Sequence, residues 1–188
     1  LQVQLDDLPA CVMPYLKAQP ERVEKWRSRL EGKPGKRIAF VWQGNPKAKV
    51  DRGRSLPLAQ LAPLLALEGV RFISLQKNEG SEQLDVLPPA LRARVETLGD
   101  DFDAGPDGFL DTAAVMMNCD LVLTTDTAIA HVAGGLGRPT FLMLKKTPDW
   151  RWLLGRTDSP WYPSMRLFRQ REDGNWAQVI QAIQHDLQ

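Results

Sequence analysis

Between Cys119 and Leu144 the chain reads CDLVLTTDTAIAHVAGGLGRPTFLML, a pattern compatible with few folds. Leu121, Val122 and Leu123 form a short apolar run, which predicts a strand buried on both faces. Thr125 and Asp126 are N-cap residue types, and either could close the start of the following helix. Ala128, Ile129, Ala130, Val132 and Ala133 continue that helix with side chains small enough to lie close to a sheet. Gly137 fits a C′ position, and Pro139 prevents the helix from resuming. The unit aims a helix N-terminus, with free backbone N–H groups, at the carboxyl edge of a sheet. Open α/β proteins bind ligands there, and the arrangement suits a phosphate. His131, five residues after Asp126, interrupts an otherwise apolar helix. A bonded core imidazole and a ligand contact both account for it.

The rest of the chain repeats this alternation. Pro20 to Leu30 has helical spacing, with Pro20 in the first turn and Val23, Trp26 and Leu30 on one face. Arg37 to Trp42 reads as a strand, Gly44 to Ser55 as a polar loop, and Leu58 to Leu65 as helical. Val70 to Leu75 is a second strand and Val95 to Leu98 a short third. The signal from Asn78 to Arg94 is weaker, interrupted by Pro88-Pro89. Phe109 to Asn118 is a helix with Leu110, Ala113, Ala114 and Met117 facing inward. Lys145 to Pro163 is a long loop or irregular helix, followed by a strand at Met165 to Phe168 and a helix from Trp176 to Leu187. Alternating strands and helices predict an α/β fold with a doubly wound parallel sheet, Rossmann-like, in three αβα layers. Residues 1–36 read as connector and helix, and 37–188 as the sheet domain.

The 188 residues suit one domain, or one and a short appendage. With 24 basic and 23 acidic residues the formal net charge is +1, which gives no reason to expect nucleic acid. Lys47 to Arg54 is a local basic cluster: a solvated loop, or one facing phosphate. Cys11 and Cys119 form neither a disulfide framework nor a metal-ligand spacing, which favours a reducing, cytoplasmic setting. No apolar stretch has membrane-spanning length. Leu1 in place of Met fits a piece of something longer. Gly134-Gly135-Leu136-Gly137 ends a helix instead of opening one, so it is no dinucleotide fingerprint. A Walker loop, a Gly-x-Ser-x-Gly elbow and a glycosidase carboxylate pair are missing from the motifs.

In a parallel sheet all strand ends deliver their loops to one edge, which nominates residues directly. After the first strand come Gly44 and Asn45, then Arg54 and Ser55. Gln76 and Lys77 follow the second strand. Asp103 and Asp107 follow the third, and Asp126 and Thr127 the fourth, with His131 behind. Lys145, Lys146 and Asp149 follow the fifth. Arg54 and Lys77 can neutralise a diphosphate, and Thr127 and Ala128 can offer backbone N–H donors. Asp126 would repel phosphate and better accepts hydrogen bonds from sugar hydroxyls, or acts only as a cap.

Several of these segments together resemble a known family. VWQGNP at 41–46, DRGRSLPL at 51–58, FISLQK at 72–77, FLDTAAVMMNCDLVLTTDTAIAHVAGGLGRPTFLML at 109–144 and PDWRWLLGRTDSPWYPSMRLFRQ at 148–170 carry the resemblance. Over residues 37–183 the chain resembles the C-terminal half of GT-B glycosyltransferases. It is similar to the heptosyltransferase-like family 9 and to relatives fused to tetratricopeptide repeats. The resemblance implies a site for a nucleotide-diphosphate sugar. Asp126, Thr127, Ala128 and His131 match the donor motif, Arg54 stands near a phosphate-contacting basic residue, and Gln76 and Lys77 lie where nucleoside or phosphates are touched. Heptosyltransferases usually have glycine where Ala128 stands, which counts against a heptose donor. Metal-independent transfer without a cofactor is expected, because the sequence shows no ligand cluster for a divalent ion; the resemblance further implies an N-terminal Rossmann-like domain carrying the acceptor. The expectation is therefore half an enzyme, inactive alone and with no assignable catalytic base. The other reading is a non-catalytic nucleotide-binding or interaction module docking through Trp150, Trp152 and Trp161.

Overall fold

A computed structural model describes residues 13–106 and 108–188. Cys11 and Asp107 lie outside the described residues. Six strands form one parallel sheet: β1 (Lys36–Val41), β2 (Val70–Ser74), β3 (Val95–Glu96), β4 (Leu121–Thr125), β5 (Thr140–Leu144) and β6 (Met165–Arg169), in the order β3-β2-β1-β4-β5-β6. The order reverses between β1 and β4, so the loops leaving these neighbours diverge and open a crevice at their carboxyl ends.

Alternation along the strands sends side chains to the two faces of the sheet. Ile38, Phe40, Trp42, Phe72, Leu121 and Leu123 face a 3₁₀ turn at Leu58–Leu61, α2 (Ala62–Leu65) and α6 (Ala177–Leu187). Ala39, Val41, Ile73 and Val122 face α1 (Pro20–Leu30), α4 (Leu110–Met117) and α5 (Ala128–Gly135). Both faces are covered, which is why the strands read as continuous apolar runs instead of alternating ones. α3 (Pro89–Arg92) is a single turn before β3. Among the described residues no helix is long and apolar enough to cross a membrane.

α1 belongs to the same packed body. Trp26 is fully buried, stands edge-on to Phe102, and donates its indole N–H to Asp111 at 2.8 Å. Arg22 reaches the same carboxylate oxygen at 2.9 Å. α4 buries Asp111 through Met116 in an unbroken run, whereas Met117, expected to face inward, is 38 % exposed. The helix begins one residue later than the apolar pattern suggested, because Phe109 sits outside it in the left-handed region, φ 72°.

The end of α5 follows the expected chemistry. Gly137 has φ 66°, its N–H bonds the Gly134 carbonyl, and the Arg138 N–H bonds the Ala133 carbonyl. This is the paired geometry of a Schellman stop.

At the other side of the sheet, Arg71 of β2 is 6 % exposed and forks onto Glu96 of β3 at 2.8 and 3.0 Å. The Arg71 hydrogen bonds hold the Glu96 carboxyl below its ordinary range, against the opposing effect of burial. A depressed carboxylate stabilises the fold above its unfolded value and loses that contribution as pH falls through the folded one. Hydrogen-exchange protection of the β2–β3 pair should therefore decline on acidification within the carboxylate range. Glu96→Gln should weaken that pair at neutral pH and flatten the dependence; an unchanged acid profile in the variant would contradict the assignment.

Candidate functional site

Two hollows meet at the β1/β4 crevice. The larger, about 890 Å³, is bounded by Gln43–Asn45 after β1, Gln76–Glu79 after β2, Phe102, Asp103 and Phe109, and the start of α5. The smaller, about 380 Å³, lies between Val50, Asp126, His131 and the Lys145–Arg151 segment after β5. Arg54, Thr127 and Ala128 line both and form the ridge between them.

The phosphate loop of the sequence reading is a bonded unit. Asp51 Oδ1 accepts from Arg54 Nε at 3.1 Å, Arg54 Nη2 at 2.9 Å and Ser55 Oγ at 2.8 Å. The Ser55 hydroxyl in turn accepts from the Gly44 N–H at 2.9 Å. A side chain at Gly44 would collide with the Arg54 guanidinium, so glycine lets this cation lie against the β1 loop. Lys145 ties the loop to the end of β5 through the Arg52 carbonyl at 3.0 Å. Asn45 accepts the Lys47 N–H and lines the larger hollow. The structure thus brings Gly44, Asn45, Arg54 and Ser55 together, with Ser55 acting on the loop itself.

Neither Thr125 nor Asp126 caps α5 through its side chain. Thr127 occupies the N-cap position, with extended backbone (φ −129°, ψ 176°) and no side-chain cap bond. Its own N–H goes to the Thr125 carbonyl at 2.8 Å. The N–H groups left at the helix start are therefore those of Ala128 and Ile129, one residue further on than expected. Released from capping, Asp126 faces the smaller hollow.

Gln76 and Lys77 line the larger hollow, yet both are committed to the backbone. The Gln76 amide accepts from the N–H groups of Trp42 (3.2 Å) and Gln43 (3.1 Å) and donates to the carbonyls of Gln43 (3.0 Å) and Glu79 (2.8 Å). Lys77 donates to the carbonyls of Phe102 and Asp103. Asp103, nominated as an edge carboxylate, accepts the Asp111 and Thr112 N–H groups and so caps α4 from across a loop. The lining residues Phe102, Phe109, Asn78 and Glu79 escaped the sequence reading. They belong to the segment of weakest periodicity and to the loop before α4.

His131 is half-buried on α5. Its Nδ1 lies 2.9 Å from the Tyr162 hydroxyl, and its ring stacks on the fully buried Trp152 at 5.4 Å. Burial lowers its pKa, with Asp126 opposing. The tryptophans are not one face: Trp152 is core, Trp161 bonds the Arg151 carbonyl, and Trp150 is 65 % exposed under the Arg151 guanidinium. Among the described residues no three His, Cys, Asp or Glu side chains converge as metal ligands do.

The sequence pattern of Glycosyltransferase family 9 (heptosyltransferase) matches residues 56–181, two thirds of the chain. The chain belongs to glycosyltransferase family 9. Protein FlbA of Caulobacter vibrioides is 32 % identical over 165 residues, 86 % of this chain and 27 % of FlbA. E. coli ADP-heptose LPS heptosyltransferase II superposes with a TM-score of 0.65 at 19 % identity, over 97 % of this chain and 55 % of that one. The family 9 glycosyltransferase from Veillonella parvula gives 0.57 at 14 % identity, over 90 % and 51 %. This family 9 chain shares their GT-B half-fold and spans about half their length, and about a quarter of FlbA.

Proposed function

We propose that this chain is the nucleotide-sugar-binding half of a metal-independent glycosyltransferase. The observation that carries the reading is the ridge of Arg54 and the α5 start between two hollows. A diphosphate crossing that ridge meets a guanidinium and the Ala128 and Ile129 N–H groups. Its nucleoside end then lies in the larger hollow and its sugar end beside Asp126 and His131. The same cation and helix start stabilise the charge that develops on the departing nucleotide diphosphate. The structure of an E. coli heptosyltransferase with an ADP-heptose analogue supports a donor of this class. Ala128 in place of glycine argues for a sugar other than heptose.

The acceptor and the base are assigned to a separate N-terminal Rossmann-like domain, with tetratricopeptide repeats a further element of the full protein. The sparse cysteines fit a cytoplasmic enzyme. Calorimetric titration with ADP, UDP, GDP and their glucose conjugates tests the donor reading. At least one should bind, and Asp126→Ala with His131→Ala should abolish preference for the sugar-bearing form. Failure of every nucleotide to bind would overturn the reading in favour of an interaction module docking through Trp150. Robust sugar transfer by these 188 residues alone would overturn the two-domain assignment.

A further inference from the structure

An imidazole beside a ligand pocket presents either a donor or an acceptor, and the bond at its other nitrogen decides which. His131 Nδ1 is engaged by Tyr162 at 2.9 Å. A phenol is a stronger donor than a neutral imidazole N–H, and an imidazole nitrogen a stronger acceptor than a phenol oxygen, which favours the Tyr162 hydroxyl as the donor to Nδ1; the Tyr15 hydroxyl lies 3.4 Å from that of Tyr162. Nε2 is then the protonated nitrogen, and among the described residues it has no protein partner. Trp152 stacks on the imidazole with 22° between the planes, so the ring cannot flip without displacing a buried indole. Tyr162 reaches this position because Gly134 of α5 has no side chain; a Cβ there would meet the Tyr162 ring. Tyr15 is anchored too: the N–H groups of Tyr15 and Leu16 both bond the Gly135 carbonyl, at 3.0 and 2.9 Å. The chain from Tyr15 to His131 thus runs from the segment before α1 into the smaller hollow.

We propose that Tyr162 is a positioning residue that holds His131 as the Nε2–H tautomer, presenting a neutral N–H donor to the smaller hollow. The group it suits is an oxygen acceptor of the donor, a phosphate oxygen or a sugar hydroxyl, and to that extent the proposal rests on the donor reading above. Burial favours the neutral ring, while Asp126, Arg151 and Asp149 act on it through space and Arg54 and Lys145 line the same hollow. With Nε2 carrying the proton, His131 donates instead of acting as a base.

Nitrogen-15 spectra of the ligand-free chain decide the tautomer, and only His185 competes for assignment. Wild-type His131 should show a protonated Nε2 and an unprotonated, hydrogen-bonded Nδ1. Tyr162→Phe should shift Nδ1 toward the value of an unbonded ring nitrogen. A wild-type Nδ1–H tautomer, or Nδ1 unmoved in Tyr162→Phe, would overturn the proposal. The second arm uses the glucose conjugates of UDP, ADP and GDP, read against the parent diphosphates. Tyr162→Phe should weaken the sugar-bearing form by about 3–10-fold, the range for one neutral hydrogen bond. His131→Gln keeps an amide N–H near the Nε2 position, and in that background Tyr162→Phe should have no further effect. Equal losses in both backgrounds would show that Tyr162 acts only on packing. If no nucleotide binds, the donor reading fails, while the ring spectra still decide the role of Tyr162.

Discussion

Asp111→Ala should lower stability by about 3–5 kcal/mol, the cost of breaking a buried charged pair by deleting one partner. Asp111 is 2 % exposed and its carboxylate serves three donors: Trp26 Nε1, Arg22 Nη1 and the Asp103 N–H. The variant leaves a buried indole N–H and a half-buried guanidinium without this acceptor, and separates α1 from α4. In a chain of this size the loss corresponds to a fall in Tm of about 10 °C or more. Thermal unfolding followed by circular dichroism measures it. A fall of only one or two degrees would mean that Trp26 packing alone holds α1. Because Asp103 and Asp111 bond each other reciprocally, the loop between them, which walls the larger hollow, should also lose protection in hydrogen exchange.

Arg54→Ala should weaken nucleoside diphosphate binding about 10–100-fold, the span of one or two charge-assisted hydrogen bonds. Nucleosides without phosphate should bind the variant as they bind the wild type. Arg54→Lys keeps the charge and loses the planar fork, and an intermediate loss is expected. Titration calorimetry with ADP and adenosine, or whichever base the chain prefers, gives both numbers. Equal loss for nucleoside and diphosphate would show that Arg54 serves the loop fold through Asp51 and not the phosphate.

The sheet was legible because its signals are local. Ile38–Val41 and Leu121–Leu123 are apolar without interruption, and a strand covered on both faces requires that. Gly137 and Pro139 mark the end of α5 for equally local reasons. The edge residues followed from parallel topology alone, and Arg54, Thr127, Ala128 and His131 do gather at one crevice. What escaped the sequence depends on pairs far apart in the chain. Asp103 looked like a ligand carboxylate, and it caps a helix that begins seven residues later. Tyr162 lies 31 residues from His131 with no spacing to connect them. Asp126 resembled a cap because residue type cannot distinguish a capping carboxylate from one turned into a cavity.

Gln76 bears on any attempt to redesign this site. Its single amide grips backbone groups of two loops, Trp42 and Gln43 on one side and Glu79 on the other. Transplanting either loop from a relative with another donor preference would break the clasp and misplace both walls of the larger hollow. A successful graft must carry the β1 and β2 loops and their glutamine as one cassette.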